Sequence, residues 1–342
     1  MNGDDDILLT RDQFREAVFK RDSYKCVLCG SNAKDAHHII ERRLFKNGGY
    51  YIDNGASVCS ECHIICESTV VSVEELREAC GITHKVVPEH LYSDHVYDKW
   101  GNLILDNGTR LRGELYYDES VQRIIDSSVV FVSYVKYPRT YHLPWSDGCN
   151  DDDKTLESVD PFIGKEVVVS EKYDGENTSM YSDCIHARSV DGRNHPSRGW
   201  VKNFWSTFAH DIPEGWRICG ENVYAEHSIH YENLETYFYG FSVWNDRNIC
   251  LSWNQTLEWF ELLGIISVPV LYRGMFDVDK IKSVYKHSNW DKMEGYVVRI
   301  ADCFGYGDFS NNVAKYVRKG HIQTTKHWMH GQEIKANSLK RK

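Results

Sequence analysis

Glu171-Lys172-Tyr173-Asp174-Gly175-Glu176-Asn177 comes just after the apolar run Glu166-Val167-Val168-Val169. Such a run reads as a strand, and Asp-Gly is turn chemistry. The blandest reading is therefore a strand that ends in a turn, with Lys172 at the end. A lysine there can also be a nucleophile, provided it loses its proton near neutral pH. Burial, nearby positive charge or a bound metal ion promotes that loss.

The stretches downstream decide between the two readings. They are Ile185-His186-Ala187-Arg188, Cys219-Gly220-Glu221, Phe238-Tyr239-Gly240-Phe241, Glu294-Gly295-Tyr296-Val297-Val298-Arg299 and Ala314-Lys315-Tyr316-Val317-Arg318. An amine attacking the α-phosphate of ATP displaces pyrophosphate. That step needs cations on the phosphates, a carboxylate on ribose or metal, and a planar side chain against adenine. A lone Lys-x-Asp-Gly arises by chance, but an ordered series with these residue types is far more specific.

The series resembles the nucleotidyltransferase superfamily of ligases and capping enzymes. Together with Tyr137-Pro138-Arg139-Thr140-Tyr141-His142-Leu143-Pro144-Trp145 and Gly220-Glu221-Asn222-Val223-Tyr224, it looks like the nick-sealing RNA ligases of phages and bacteria. The resemblance implies that Lys172 takes AMP from ATP, that AMP passes to a 5′-phosphate end, and that a 3′-hydroxyl then attacks and releases AMP. It places Asp174, Gly175 and Asn177 at the nucleotide, Arg188 on the nucleotide and substrate end, and Glu221 on the ribose. Phe241 stacks on adenine, Glu294 is metal-linked and Lys315 contacts the α-phosphate. It implies ATP and Mg²⁺ or Mn²⁺ as cofactors. One position departs: Val317 stands where the family has a second lysine. Arg318 or Lys319 could substitute, although a strand neighbour points to the opposite face.

Cys26-Val-Leu-Cys29 and Cys59-Ser-Glu-Cys62 lie about 30 residues apart, a spacing that suits a tetrahedral Zn²⁺ site. With His37-His38, Asn54 and His63 they resemble the zinc-stabilised HNH nuclease fold, a ββα unit. That resemblance makes His37 and His63 ligands of a catalytic metal, with Glu67 one helical turn on as a further oxygen ligand. His38 becomes the base that activates water, and Asn54 the residue that fixes the hairpin and orients it. A module that binds nucleic acid without cutting it is the alternative.

The expected fold class is α+β: a ligase-type nucleotidyltransferase domain of antiparallel sheets with flanking helices, plus a small zinc-bound ββα module. The expected parts are an HNH-like module (1–75), a connecting subdomain (76–135), the nucleotidyltransferase domain (136–328) and a basic tail (329–342). Helices are expected near Phe14, Val18 and Phe19, over 73–80 and over 254–263, with a hairpin at Asn107-Gly108. Net charge is −10, which disfavours a nucleic-acid binder without excluding a local basic groove. The tail, Arg42, Arg43 and Lys46 are candidate phosphate contacts, with solvated surface as the blander reading. The loop residues Arg193 and Arg198 carry the same pair of readings, and His227 and His230 read as surface. Partners are RNA, nicked or broken, with tRNA among the candidates, or other nucleic acid. A DNA nick ligase, or an endonuclease whose second domain only binds nucleotide or ends, stays open. No apolar run reaches the roughly 18 residues of a membrane span. The acidic start and the cysteine pairs suggest an intracellular, cytoplasmic protein of a bacterial or phage-infected cell.

Overall fold

The computed structural model describes residues 7–91, 94–149, 153–190, 192, 194–284, 292–319 and 334–341. The chain divides into two compact units, Met1–Ser133 and Tyr134–Lys342.

The first unit opens with α1 (Arg11–Arg21), started by a capping box between Thr10 and Gln13. Its buried face is Phe14, Val18 and Phe19, the residues that the apolar spacing singled out. β1 (Asp35–His38) and β2 (Gly55–Val58) pair antiparallel, and α2 (Ser60–Glu67) follows at once. These three elements make a ββα arrangement. α3 (Val73–Cys80) begins at a Ser72/Glu75 capping box and ends at Gly81, whose φ is 69°. The short hairpin β3 (Leu103–Ile104) and β4 (Arg110–Leu111) turns through Gly108 at φ 80°, and α4 (Glu119–Gln122) comes last. A polar knot holds this later part to the ββα elements. The buried Asp98 carboxylate accepts from Trp100 N, Asn102 N and Arg110, while Arg110 also donates to Thr69 and Trp100 Nε1 to Glu67 O. Of the expected connecting stretch 76–135, the residues through Ser133 thus lie in the first unit and the rest in the second.

The second unit carries two sheets. One contains β7 (Glu176–Met180), β8 (Ile185–Ala187), β9 (Arg217–Asn222), β10 (Phe238–Trp244), β11 (Ile249–Cys250), β12 (Ile266–Ser267) and β15 (Phe304–Gly305). Its order is β15-β11-β10-β9-β7-β8, with β12 also on β10. The other contains β5 (Tyr141–His142), β6 (Glu166–Lys172), β13 (Val270–Met275), β14 (Gly295–Ile300) and β16 (Val313–Val317), in the order β13-β6-β14-β16-β5. Pairing is antiparallel except at β10–β12 and β16–β5, which are parallel.

β6 explains its own unbroken valine run. Val167 and Val169 join a core with Val298 of their own sheet and Cys219, Trp244 and Cys250 of the other. Val168 points into a second cluster with Tyr173, Tyr239 and Trp253. A strand buried on both faces has no polar alternation. Flanking helices are α5 (Gly199–Ser206), α6 (Trp253–Leu263), α7 (Val278–Ser283) and α8 (Phe309–Asn312). α6 has the Ser252/Gln255 capping box and a left-handed Gly264 at its end, and it packs Phe260 and Leu263 against Phe238.

Of the expected basic tail, 329–342, residues 334–341 are described, and their backbone is tied to the rest of the second unit. Asn337 is buried, donates to Val223 O and Ala225 O, and accepts from Tyr231 N. The rest of the expected tail, 329–333 and 342, lies outside the described residues.

Candidate functional site

β6 delivers Lys172 to the mouth of a cavity of about 380 Å³, the size range of small-molecule sites. Lys172 sits opposite Gly295 of β14. A Cβ at position 295 would collide with the Tyr316 carbonyl of β16, so only glycine lets the three strands run this close. The residue before it, Glu294, is 4% exposed, and its carboxylate is ion-paired with Lys172 Nζ.

The other cavity residues come from neighbouring strands. Asn177 of β7 pairs directly with Glu221 of β9. Phe241 lies on β10, Lys315 on β16 opposite Val297, and Arg188 just past β8. All line the cavity with Lys172. Asn177 Oδ1 is buried and accepts no hydrogen bond. Phe241 presents an edge to Tyr137 at 5.3 Å between centroids.

Burial would lower the Lys172 ammonium, but the fields of Glu294, Glu221 and Asp174 outweigh it and hold the ammonium above its ordinary value. Burial pushes Glu221 up to about 8, against the pull of Lys172. Burial alone pushes Glu171, also in the cavity wall, up to about 7. Lys315 is lowered by burial, with Asp153 opposing at 3.6 Å. Asp153 in turn faces His142 at 3.3 Å.

Three sequence expectations find different surroundings. The Asp174 carboxylate accepts from Ser228 N, Ser228 Oγ and Ile229 N, so it braces a turn and does not line the cavity. Gly175 N donates to Glu221 Oε1 at 3.2 Å. Its own Cβ would meet Asn222 O, so glycine is again a matter of close approach. His227, expected on the surface, is only 12% exposed and lies 3.9 Å from Asp174; His230 is exposed and pairs with Glu226. Val317 is buried at 1%, and Arg318 donates to Met293 O. Arg318 is thereby committed away from the cavity wall, and Lys319 is exposed.

A second cleft of about 750 Å³ adjoins the first and shares Arg139, Asn177, Arg188 and Glu221 with it. It adds Lys136, Arg198 and His227. Arg198 is buried and forks onto Glu176, which removes it from the solvated loop. Arg193 lies outside the described residues. The sequence reading assigned no role to Glu171, Arg139, Asp153 or His142.

In the first unit, the ligand atoms of Cys26, Cys29, Cys59 and Cys62 lie within 4.8 Å of one another, with Cys29 Sγ to Cys59 Sγ at 3.7 Å. Four sulfurs about 2.3 Å from a tetrahedral ion would be roughly this far apart, so the set fits. His37, His63 and Glu67 form a second such group. Glu67 Oε1 is 3.3 Å from His37 Nδ1 and 3.2 Å from His63 Nε2. Neither nitrogen of the buried His37 ring makes a hydrogen bond, which leaves it available as a ligand. Lys99, missed in the sequence, is 4% exposed and 3.2 Å from the same Glu67 oxygen. Asn54 is fully buried, accepts from Ile40 N and donates to Ile40 O and Gly49 O. His38 stacks on Phe14 at 4.6 Å. A cleft of about 630 Å³ contains His37, His38, His63, Glu67 and Lys99, with Arg11, Arg15 and Arg42 in its wall. Arg43 and Lys46 pair with Asp118 and Glu89 instead.

No curated protein matches the sequence. Among solved structures, an archaeal ATP-dependent RNA ligase is 13% identical at a TM-score of 0.38, covering 54% of this chain and 48% of that one. A Naegleria gruberi RNA ligase mutant with ATP and Mn is 15% identical at 0.39, covering 55% and 58%. An Aquifex aeolicus chain assigned as an ATP-dependent DNA ligase is 20% identical at 0.37, covering 55% and 51%. The chain thus spans about half the length of these structures. Residues 165–317, the segment from β6 through β16, match the family model described as RNA ligase.

Proposed function

We propose that the second unit is an ATP-dependent RNA ligase that joins 5′-phosphate and 3′-hydroxyl ends through a lysyl-AMP. The observation that carries this is convergence. Lys172, Asn177, Arg188, Glu221, Phe241 and Lys315, drawn from separate strands, line one cavity, and Glu294 contacts the lysine. The RNA ligase family model spans the same segment, and ATP and Mn accompany the Naegleria gruberi structure.

In this reading Phe241 stacks on adenine, and Glu221 meets the ribose. Lys315 faces the α-phosphate. Lys172 is poised as an ammonium by its carboxylate neighbours and must shed a proton before it attacks. A divalent cation held at Glu294, Mg²⁺ or Mn²⁺, would offset the negative field that retains that proton. Lys172 Nζ then forms a bond to the α-phosphorus while the bond to pyrophosphate breaks. In the second step a 5′-phosphate oxygen attacks the same phosphorus, the P–N bond breaks, and Lys172 leaves as an amine that takes a proton from water. A 3′-hydroxyl finally displaces AMP. Lys315 has no second lysine beside it, because Val317 packs into the core.

Nicked duplexes with RNA or DNA on the 3′-hydroxyl side test the substrate. Faster ATP-dependent sealing of RNA supports the proposal, and equal rates on all-DNA nicks favour the DNA-ligase alternative.

The first unit's ββα geometry supports a second reading, an HNH-type nuclease module. The cysteine quartet would hold Zn²⁺ as a structural ion, and His37, His63 and Glu67 would hold a divalent ion able to polarise a phosphodiester. His38 would act as the base. Metal-dependent cleavage of RNA or plasmid that His38→Ala removes supports a nuclease; binding without cleavage leaves a gripping module.

A further inference from the structure

We propose that Arg139 is part of a receptor for the terminal 5′-phosphate of the nucleic-acid strand, at the junction of the two cavities of the second unit. The inference rests on the ligase reading above and names the part of the site that takes the second substrate.

Most cations of this region already have partners. Lys172 is paired with Glu294, Lys315 with Asp153 and Arg198 with Glu176. Arg299 is tied to the Ile300 and Leu251 carbonyls, and Arg318 to Met293 O. Arg188 makes one long bond, Nε to Tyr137 O at 3.4 Å. Arg139 is exposed and has no hydrogen-bond or ion-pair partner among the described residues. It lies close enough to Arg188 for the two charges to repel. Two like charges held together without an anion between them cost energy. An anion recovers that cost.

Position says which anion. Arg139, Arg188, Asn177 and Glu221 are shared by both cavities. The first cavity has the aromatic and apolar walls that suit a nucleoside, Phe241, Val268 and Val297. The second is broader and carries the exposed Lys136, which suits a backbone. Transfer of AMP brings two phosphates together, one on Lys172 and one on the strand end. They must meet where the cavities meet, and their mutual repulsion requires cations there. Asn177 adds an independent sign. Its buried amide oxygen has no partner at the same junction, and a terminal amide can turn either its oxygen or its NH₂ toward a ligand.

The test separates the two phosphates by step, using the full chain. Lysyl-AMP formation is followed with labelled ATP. Transfer is followed by mixing isolated lysyl-AMP protein with a nicked duplex bearing a 5′-phosphate. Arg139→Ala should slow transfer at least tenfold more than it slows lysyl-AMP formation. It should also erase the wild-type preference for 5′-phosphate over 5′-hydroxyl nicks in binding, and Arg139→Lys should restore part of both. If Arg139→Ala instead impairs lysyl-AMP formation as much as transfer, Arg139 serves the nucleotide and the proposal fails. It fails equally if transfer and end preference match wild type. Wild-type protein that forms no lysyl-AMP would sink the ligase reading itself, which is a different outcome.

Discussion

Lys172 and Glu294 form an ion pair at the adjoining ends of β6 and β14. The pair joins residues 122 positions apart in sequence and puts the candidate nucleophile beside the carboxylate of the Glu-Gly motif. Replacing Glu294 by glutamine keeps the shape and removes the charge. Lysyl-AMP formation should fall by roughly 10²-fold or more, the scale on which lost electrostatic support acts in active sites. Far-ultraviolet circular dichroism should stay unchanged. Full activity in Glu294→Gln would remove this residue from the chemistry.

Phe241 should act on nucleotide affinity more than on rate. Loss of one stacked ring costs about 1–3 kcal/mol, so Phe241→Ala should raise KM for ATP by roughly tenfold or more. Phe241→Trp should keep most of the affinity. The check is initial-rate measurement of lysyl-AMP formation across ATP concentrations.

Glu171 gives a pH signature in stability. Burial holds its folded-state carboxyl at about 7, above the ordinary 4.5. The folded state therefore binds that proton more tightly than the unfolded chain. The contribution is fully present below about pH 4.5 and is lost as pH rises through 7. Glu171→Gln is neutral at every pH. Its Tm relative to wild type should therefore rise between pH 5 and pH 8. Parallel Tm profiles would show that Glu171 is not held in this way.

Asn54 should matter for the first unit alone. Asn54→Ala strands the Ile40 N–H and two carbonyls in a buried turn. The cost should be about 3 kcal/mol, given roughly 1–3 kcal/mol for each unsatisfied buried group. Hydrogen exchange should show faster exchange in β1 and β2, with β6 and β14 unchanged.

Much of this was legible because it is local. The β6 run, the apolar spacing of α1 and α6, and the Asn107-Gly108 turn are written in neighbouring residues, and each element formed where its pattern lies. The cysteine pairs are equally local, and their four sulfurs converge. Partners distant in sequence were legible only where a motif marked both of them. Asp174 sits in a motif yet spends its carboxylate on Ser228, 54 residues on. Lys99 reaches Glu67 from a loop that carries no motif, and His227 approaches Asp174, 53 residues before it. Asn337 shows the same limit: nothing in the basic composition of the tail marks the buried amide that bonds to Val223 and Tyr231.

The central claim is that Lys172 is the AMP acceptor. Peptide mapping of full-length protein after incubation with ATP and Mg²⁺ tests it most directly. The account predicts AMP on the peptide containing Lys172, and no adduct in Lys172→Ala. AMP on another residue, or an adduct that survives Lys172→Ala, would contradict it.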